Sequence, residues 1–175
     1  MAADELTRAM HRFALESLRG GASASSELPT GVRALDLWSD GDYGSVLFWI
    51  DRDHDPWDWG QATLEHVDAK RSKRGSWRIT GGGGAGSDEP AEILAGCSSG
   101  LHKLAGGSDG SLRLTVGIAT PDVAVIRLRD GHKARERPPG ADGFFLLGIT
   151  VGDPLTFAYA VDATGAEIPA EPLLL

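Results

Sequence analysis

The chain has 175 residues, enough to bury the core of one domain with an appendage and without help from a metal or a disulfide. Its net charge of −8 argues against a nucleic-acid partner, which needs a basic footprint, and against an anionic membrane surface. A single cysteine, Cys97, excludes an intrachain disulfide and C-x-x-C chelation, while 24 glycines predict many turns.

The opening residues, MAADELTRAMHRF, carry early acids and lack the apolar centre of a signal peptide. No stretch approaches the roughly 18 apolar residues of a membrane-spanning helix. A cytoplasmic protein is therefore expected, and the richness in Ala, Gly, Arg and Asp hints at a bacterial source. Residues 4–19 predict an amphipathic helix, with Asp4 as N-cap and Glu5 suited to the positive end of the helix dipole. Leu6, Met10, Phe13, Ala14 and Leu18 fall on one face, and Gly20 and Gly21 form the stop. Such a helix is too short to persist alone, so its apolar face must dock. It docks on the chain's own core, or on a protein partner or second copy through Leu6, Met10, Phe13 and Leu18. By composition, residues 1–20 are the helix segment, 21–30 a linker (GASASSELPT) and 31–175 a β-sandwich domain.

Beyond the linker, strand signals take over. Residues 32–38 predict a strand, and the continuous apolar run VLFWI at 46–50 predicts one buried on both faces. Residues 61–69 and 76–80 flank KRSKRG, read as a hairpin tip. Leu112, Leu114, Val116 and Ile118 alternate with Arg113, Thr115 and Gly117, the pattern of a half-buried strand. After the turn at residues 120–122, residues 123–129 predict the next strand. Asp130-Gly131 signals a two-residue hairpin, and residues 133–137 predict a polar edge strand ended by Pro138-Pro139. Gly143 opens FFLLGI, Asp153-Pro154 turns the chain, and Leu155, Phe157, Tyr159 and Val161 alternate before the turn DATG and a short last strand.

Short strands separated by turn signals predict a mainly β fold: an antiparallel β-sandwich, immunoglobulin-like or a distorted barrel, preceded by one N-terminal amphipathic helix. The series VAVIRLRDG, PPGADGFFLLGI and FAYAVDATGAE resembles the closing half of small immunoglobulin-like β-sandwich domains of uncharacterised bacterial proteins. The resemblance covers residues 111–170, rests on turn and core residues, and implies a fold without an activity.

Four stretches carry possible chemistry. WRITGGGGAG holds G-x-G-x-x-G at Gly81, Gly83 and Gly86, but the following segment is too short for the helix that a dinucleotide site requires. It is read as a surface loop. GCSSG at 96–100 matches G-x-S-x-G, with Ser98 as nucleophile and Asp109, Asp130 and His132 as partners; a serine hydrolase would need a strand before the serine and a long helix after it. Cys97 with His102 is a weaker nucleophile–base pair. DRDHDPWDWG places Asp51, Asp53, Asp55 and Asp58 as hard oxygen donors for calcium, although Pro56 and Ala62 break the EF-hand pattern. In the same stretch Trp57 and Trp59 share a side if extended, suited to stacking on a carbohydrate or to capping the core. KRSKR at 70–74 is the basic cluster, and His66 alternates with Leu64 as a half-buried histidine.

No catalytic set is complete in its context, so the expected function is a non-catalytic intracellular protein-interaction or regulatory module with a protein partner or self-association. A calcium- or carbohydrate-binding sandwich using residues 51–59 is the alternative, and a serine hydrolase at Ser98 the third.

Overall fold

A computed structural model describes residues 2–20, 27–57, 60–108, 112–130, 134–150 and 155–175. The protein is mainly β: among the described residues eleven strands form three antiparallel sheets, preceded by one long helix, and no sheet closes into a barrel. The chain gathers into two compact units, Met1–Glu89 and Pro90–Leu175. No helix among the described residues is long and apolar enough to cross a membrane.

The first unit is a helix on a sheet. Helix α1 (Ala3–Gly20) begins one residue before the sequence signal: the amides of Glu5 and Leu6 bond to the Ala2 carbonyl, so Asp4 lies inside the first turn rather than at the cap. There its charge still complements the helix dipole. The sheet is a meander in the order β1 (Val32–Asp40), β2 (Tyr43–Ile50), β3 (Ala62–Arg71), β4 (Trp77–Ser87). Leu6, Met10 and Ala14 are buried against Val32, Val46, Phe48, Ile50 and Val67, with Phe13, Leu18 and Ile79 at the margin. Phe13 meets Phe48 edge to face at a centroid distance of 5.9 Å. A Cβ on Gly44 would overlap the Leu18 side chain, so this glycine lets the C-terminal turn of α1 settle on β2. The helix face offered to a partner by the sequence is thus occupied by the chain's own sheet.

Strand β4 corrects the reading of the glycine run as a loop. Residues 81–87 pair in register with residues 62–68 of β3, and none of these glycines has positive φ. Glycine is a poor strand former on its own, but here the ladder to β3 fixes the backbone. A bulge interrupts the register: Asp68 faces Gly81 and Ala69 faces Ile79, leaving Thr80 as the extra residue. The hairpin tip at residues 72–76 closes with Gly75 at φ 85°.

In the second unit a six-residue helix, α2 (Pro90–Ala95), precedes a sheet ordered β5 (Leu101–Ser108), β6 (Leu112–Ala119), β9 (Phe144–Thr150). A second sheet runs β11 (Leu173–Leu174), β10 (Phe157–Val161), β7 (Val125–Arg129), β8 (Ala134–Arg137). Phe145, Leu147 and Ile149 of β9 share one core with Ile126 and Leu128 of β7 and Ala158 and Ala160 of β10, which makes this unit sandwich-like. The large alternating residues of β10, Phe157 and Tyr159, face away from that core. Ala158 and Ala160 face inward, in the same cluster as the bulky β9 side chains. Strand β6 is more buried than its sequence implies: Thr115 and Gly117 are buried and, of the polar set, Arg113 is exposed. Strand β8 is the edge strand that its charges predicted, and β5 is a strand that the sequence reading missed. The Asp130-Gly131 and Asp153-Pro154 turns fall wholly or partly outside the described residues, as does most of the 21–30 linker.

Two outcomes follow. Leu6→Ala, which empties a fully buried site under α1, is expected to lower unfolding free energy by about 2–5 kcal/mol in chemical denaturation; a loss within error would mean α1 is not part of this core. Along β4, a Cβ on Gly82 would strike the backbone carbonyl of His66, whereas one on Gly81 meets nothing. Gly82→Ala should therefore cost about 1–3 kcal/mol and Gly81→Ala should be neutral or stabilise by up to about 1 kcal/mol. Equal effects at both positions would refute the β3–β4 register.

Candidate functional site

The first unit presents two features on neighbouring strands: a polar group on β3 and the outer edge of β4. Residues two apart on a strand share a face, so His66 and Asp68 lie together, opposite Leu47 and Ser45 of β2 and Gly83 and Gly81 of β4. His66 Nδ1 donates to Asp68 Oδ1 at 2.9 Å, and the Ser45 hydroxyl donates to the same oxygen at 2.7 Å. The side chains of His66 and Asp68 are 23% and 15% exposed, so the pair is partly desolvated. A Cβ on Gly83 would stand 3.2 Å from His66 Nε2, so this glycine makes room for the ring. Glu65 lies on the other face, and a Cβ on Gly84 would collide with its carboxylate.

Burial alone would depress the His66 pKa, but the hydrogen bond and charge of Asp68, helped by Glu65, raise it above the ordinary value. Glu65 is also raised, chiefly by burial, with the Asp68 charge adding and the His66 charge opposing. Chemically, the Asp68–His66 pair has the base-and-orienter half of a nucleophilic site. The serine it holds is bonded to the aspartate instead of the imidazole.

The edge of β4 is the second feature. β4 is the last strand of its sheet, and most of residues 78–85 are exposed. Among the described residues no backbone group bonds to its outer side. Exposed Lys73, Arg74 and Arg78 lie at one end and exposed Asp88 and Glu89 at the other. Lys70 and Arg71, the rest of the basic cluster, lie over the rings of Tyr43 and Trp77 at 4.8 and 6.0 Å.

The remaining sequence candidates are placed elsewhere. Asp51 accepts from Trp49 Nε1 at 2.8 Å, Asp55 accepts from the Trp57 amide at 3.1 Å, and Asp53 sits in a 3-10 turn (Arg52–His54). Among the described residues no three His, Cys, Asp or Glu side chains gather as a metal would require; Asp58 and Trp59 lie outside them. Trp57 packs on the α1 core as a cap. Ser98 follows helix α2 and precedes strand β5, the reverse of the strand-to-helix elbow that exposes a hydrolase serine. His102 Nε2 donates to the Ser98 backbone carbonyl at 2.6 Å, and Cys97 Sγ donates to the Ile93 carbonyl at 3.2 Å. Asp130 lies 4.0 Å from Arg135, and Asp109 and His132 are outside the described residues.

On the outer face of the second unit, Arg127 bridges Glu136 at 2.6 Å and Glu167 at 3.0 Å, Arg129 joins Glu167, and Arg129 lies over Tyr159. This lattice satisfies its own charges. Among the described residues the exposed large hydrophobics are Leu155 and Leu174, too few for a docking patch. The sequence reading missed Asp68 and the β4 edge. His-x-Asp within a strand was a usable signal for the first; the glycine run, with no alternating side chains, gave none for the second.

No family model, curated protein or solved structure matches this chain.

The raised His66 pKa has a pH consequence. Its stabilising contribution is complete below the unfolded value of about 6.5 and is lost as pH rises through the folded value. An NMR titration of the imidazole should give a midpoint above about 6.5, and Asp68→Asn should bring it below, since burial is then the largest remaining influence. A wild-type midpoint at or under that value would sink the assignment of a charged pair.

Proposed function

We propose that this chain is a non-catalytic protein-interaction module that accepts an added β-strand along the outer edge of β4. One observation carries the reading: an exposed edge strand of eleven residues whose central glycines let another backbone approach closely. Natural sheets protect such edges with charges, prolines, short strands or covering elements. β8 follows that rule, being four residues long with Arg135, Glu136 and Arg137. The regular part of β4, from 81 to 87, carries no charge and no proline. The apolar face of α1 is packed on the chain's own sheet, whereas the outer side of β4 is open. The immunoglobulin-like kinship proposed for residues 111–170 adds a framework and no binding surface.

The test is a library of soluble extended peptides screened by NMR against the full chain. Bound peptides are expected to shift the amides of residues 81–87 and to slow hydrogen exchange at alternate positions there about tenfold or more, as the outward half of an edge strand becomes paired. Shifts confined to another surface would remove the proposal.

A further inference from the structure

We infer that the occupant of the β4 edge is a second copy of the chain, paired antiparallel through residues 81–87 about a two-fold axis at Gly84. This rests on the reading of β4 as an open edge and adds the identity of the partner. The segment GGGGAGS offers backbone groups to a neighbour but almost no side-chain information, and a strand of that kind specifies register weakly. Register and direction must then come from the flanks.

The flanks are oppositely charged. Arg78, with Lys73 and Arg74 at the hairpin tip, marks one end; Asp88 and Glu89 mark the other, and all five are exposed. A two-fold at Gly84 sets Gly81 opposite Ser87, so that where the ladder ends Arg78 of one copy lies on the side of Asp88 and Glu89 of the other. Each basic end therefore meets an acidic end, twice per dimer, because a two-fold interface repeats every contact. Parallel pairing brings like ends together, and slipped registers move the charges apart. The bulge at Thr80 terminates the regular ladder at the basic end and so limits the paired length to the glycine segment. An unrelated strand would have to carry the same polarity by chance, whereas a copy carries it by construction.

The experiment is sedimentation velocity over a concentration series on the full chain and two variants. One variant carries Arg74→Glu with Arg78→Glu, the other Asp88→Arg with Glu89→Arg. All four sites are exposed, and circular dichroism and thermal melts matching the wild type establish folding. The wild type should pass from monomer to dimer with concentration. Each variant alone should dimerise about tenfold or more weakly, since like charges then meet at both ends. Mixed in equal amounts, the two should form a heterodimer, because every end again faces its opposite. A wild type that stays monomeric, a variant that dimerises as the wild type does, or a mixture that stays monomeric overturns self-pairing. A monomeric wild type would leave strand addition by other peptides to the NMR screen, so the two readings fail separately.

Discussion

The first unit depends on the pairing of β3 with β4. A ten-residue strand in which all but Ala62 and Ala69 carry large or polar side chains lies against eleven residues that are mostly small. The consequence is steric before it is energetic. Glu65, His66 and Gln61 lean across positions where β4 has no Cβ, and side chains at Gly84, Gly83 and Gly86 would crowd them. The same absence lets a partly buried His66–Asp68 pair form on one face while Glu65 occupies the other. Glycine costs β4 conformational entropy and packing, so the strand persists through its ladder and through the α1 core, where Ile79 is its anchor.

What the sequence reveals follows from where the information sits. Strands β2, β6 and β9 announce themselves because their apolar side chains must be buried, and burial is written in residue type. The face of α1 is legible for the same reason: Leu6, Met10 and Ala14 recur at helical spacing and are buried. The first residues of β4 were legible as the return of a hairpin, but its continuation through 81–87 and the whole of β5 were hidden, because their identity lies in backbone hydrogen bonds that Gly81 to Gly84, or Ala105 and Gly106, make without a side-chain pattern. β10 is intermediate. Its alternation was visible, but it is Ala158 and Ala160 that join Phe145, Leu147 and Ile149 in the core, while the larger Phe157 and Tyr159 take the other face.

The chemistry was least legible. Motifs dense in functional residue types, such as DRDHDPWDWG and GCSSG, resolve among the described residues into local bonds: Asp51 to the preceding tryptophan, Asp55 to its own turn, His102 to a carbonyl. Short polar side chains commonly satisfy nearby backbone in this way. A spacing rule cannot separate that outcome from convergence on a ligand, since both use the same residues. The order of elements can: a serine between a helix and a strand lacks the geometry of one between a strand and a helix.

Edge strands are usually defended by charge on the strand itself, which repels copies at every register. Here the charge is displaced to the flanks, and the central segment is neutral. That arrangement has a different logic. A net charge of −8 keeps copies apart at long range, while opposite signs at the two ends of β4 favour one direction and one register at contact. Backbone hydrogen bonds then supply attraction that is indifferent to sequence, and the flanking charges supply the selection. A glycine edge is therefore selective only because its ends differ; with ends alike, it would pair in either direction and at any register.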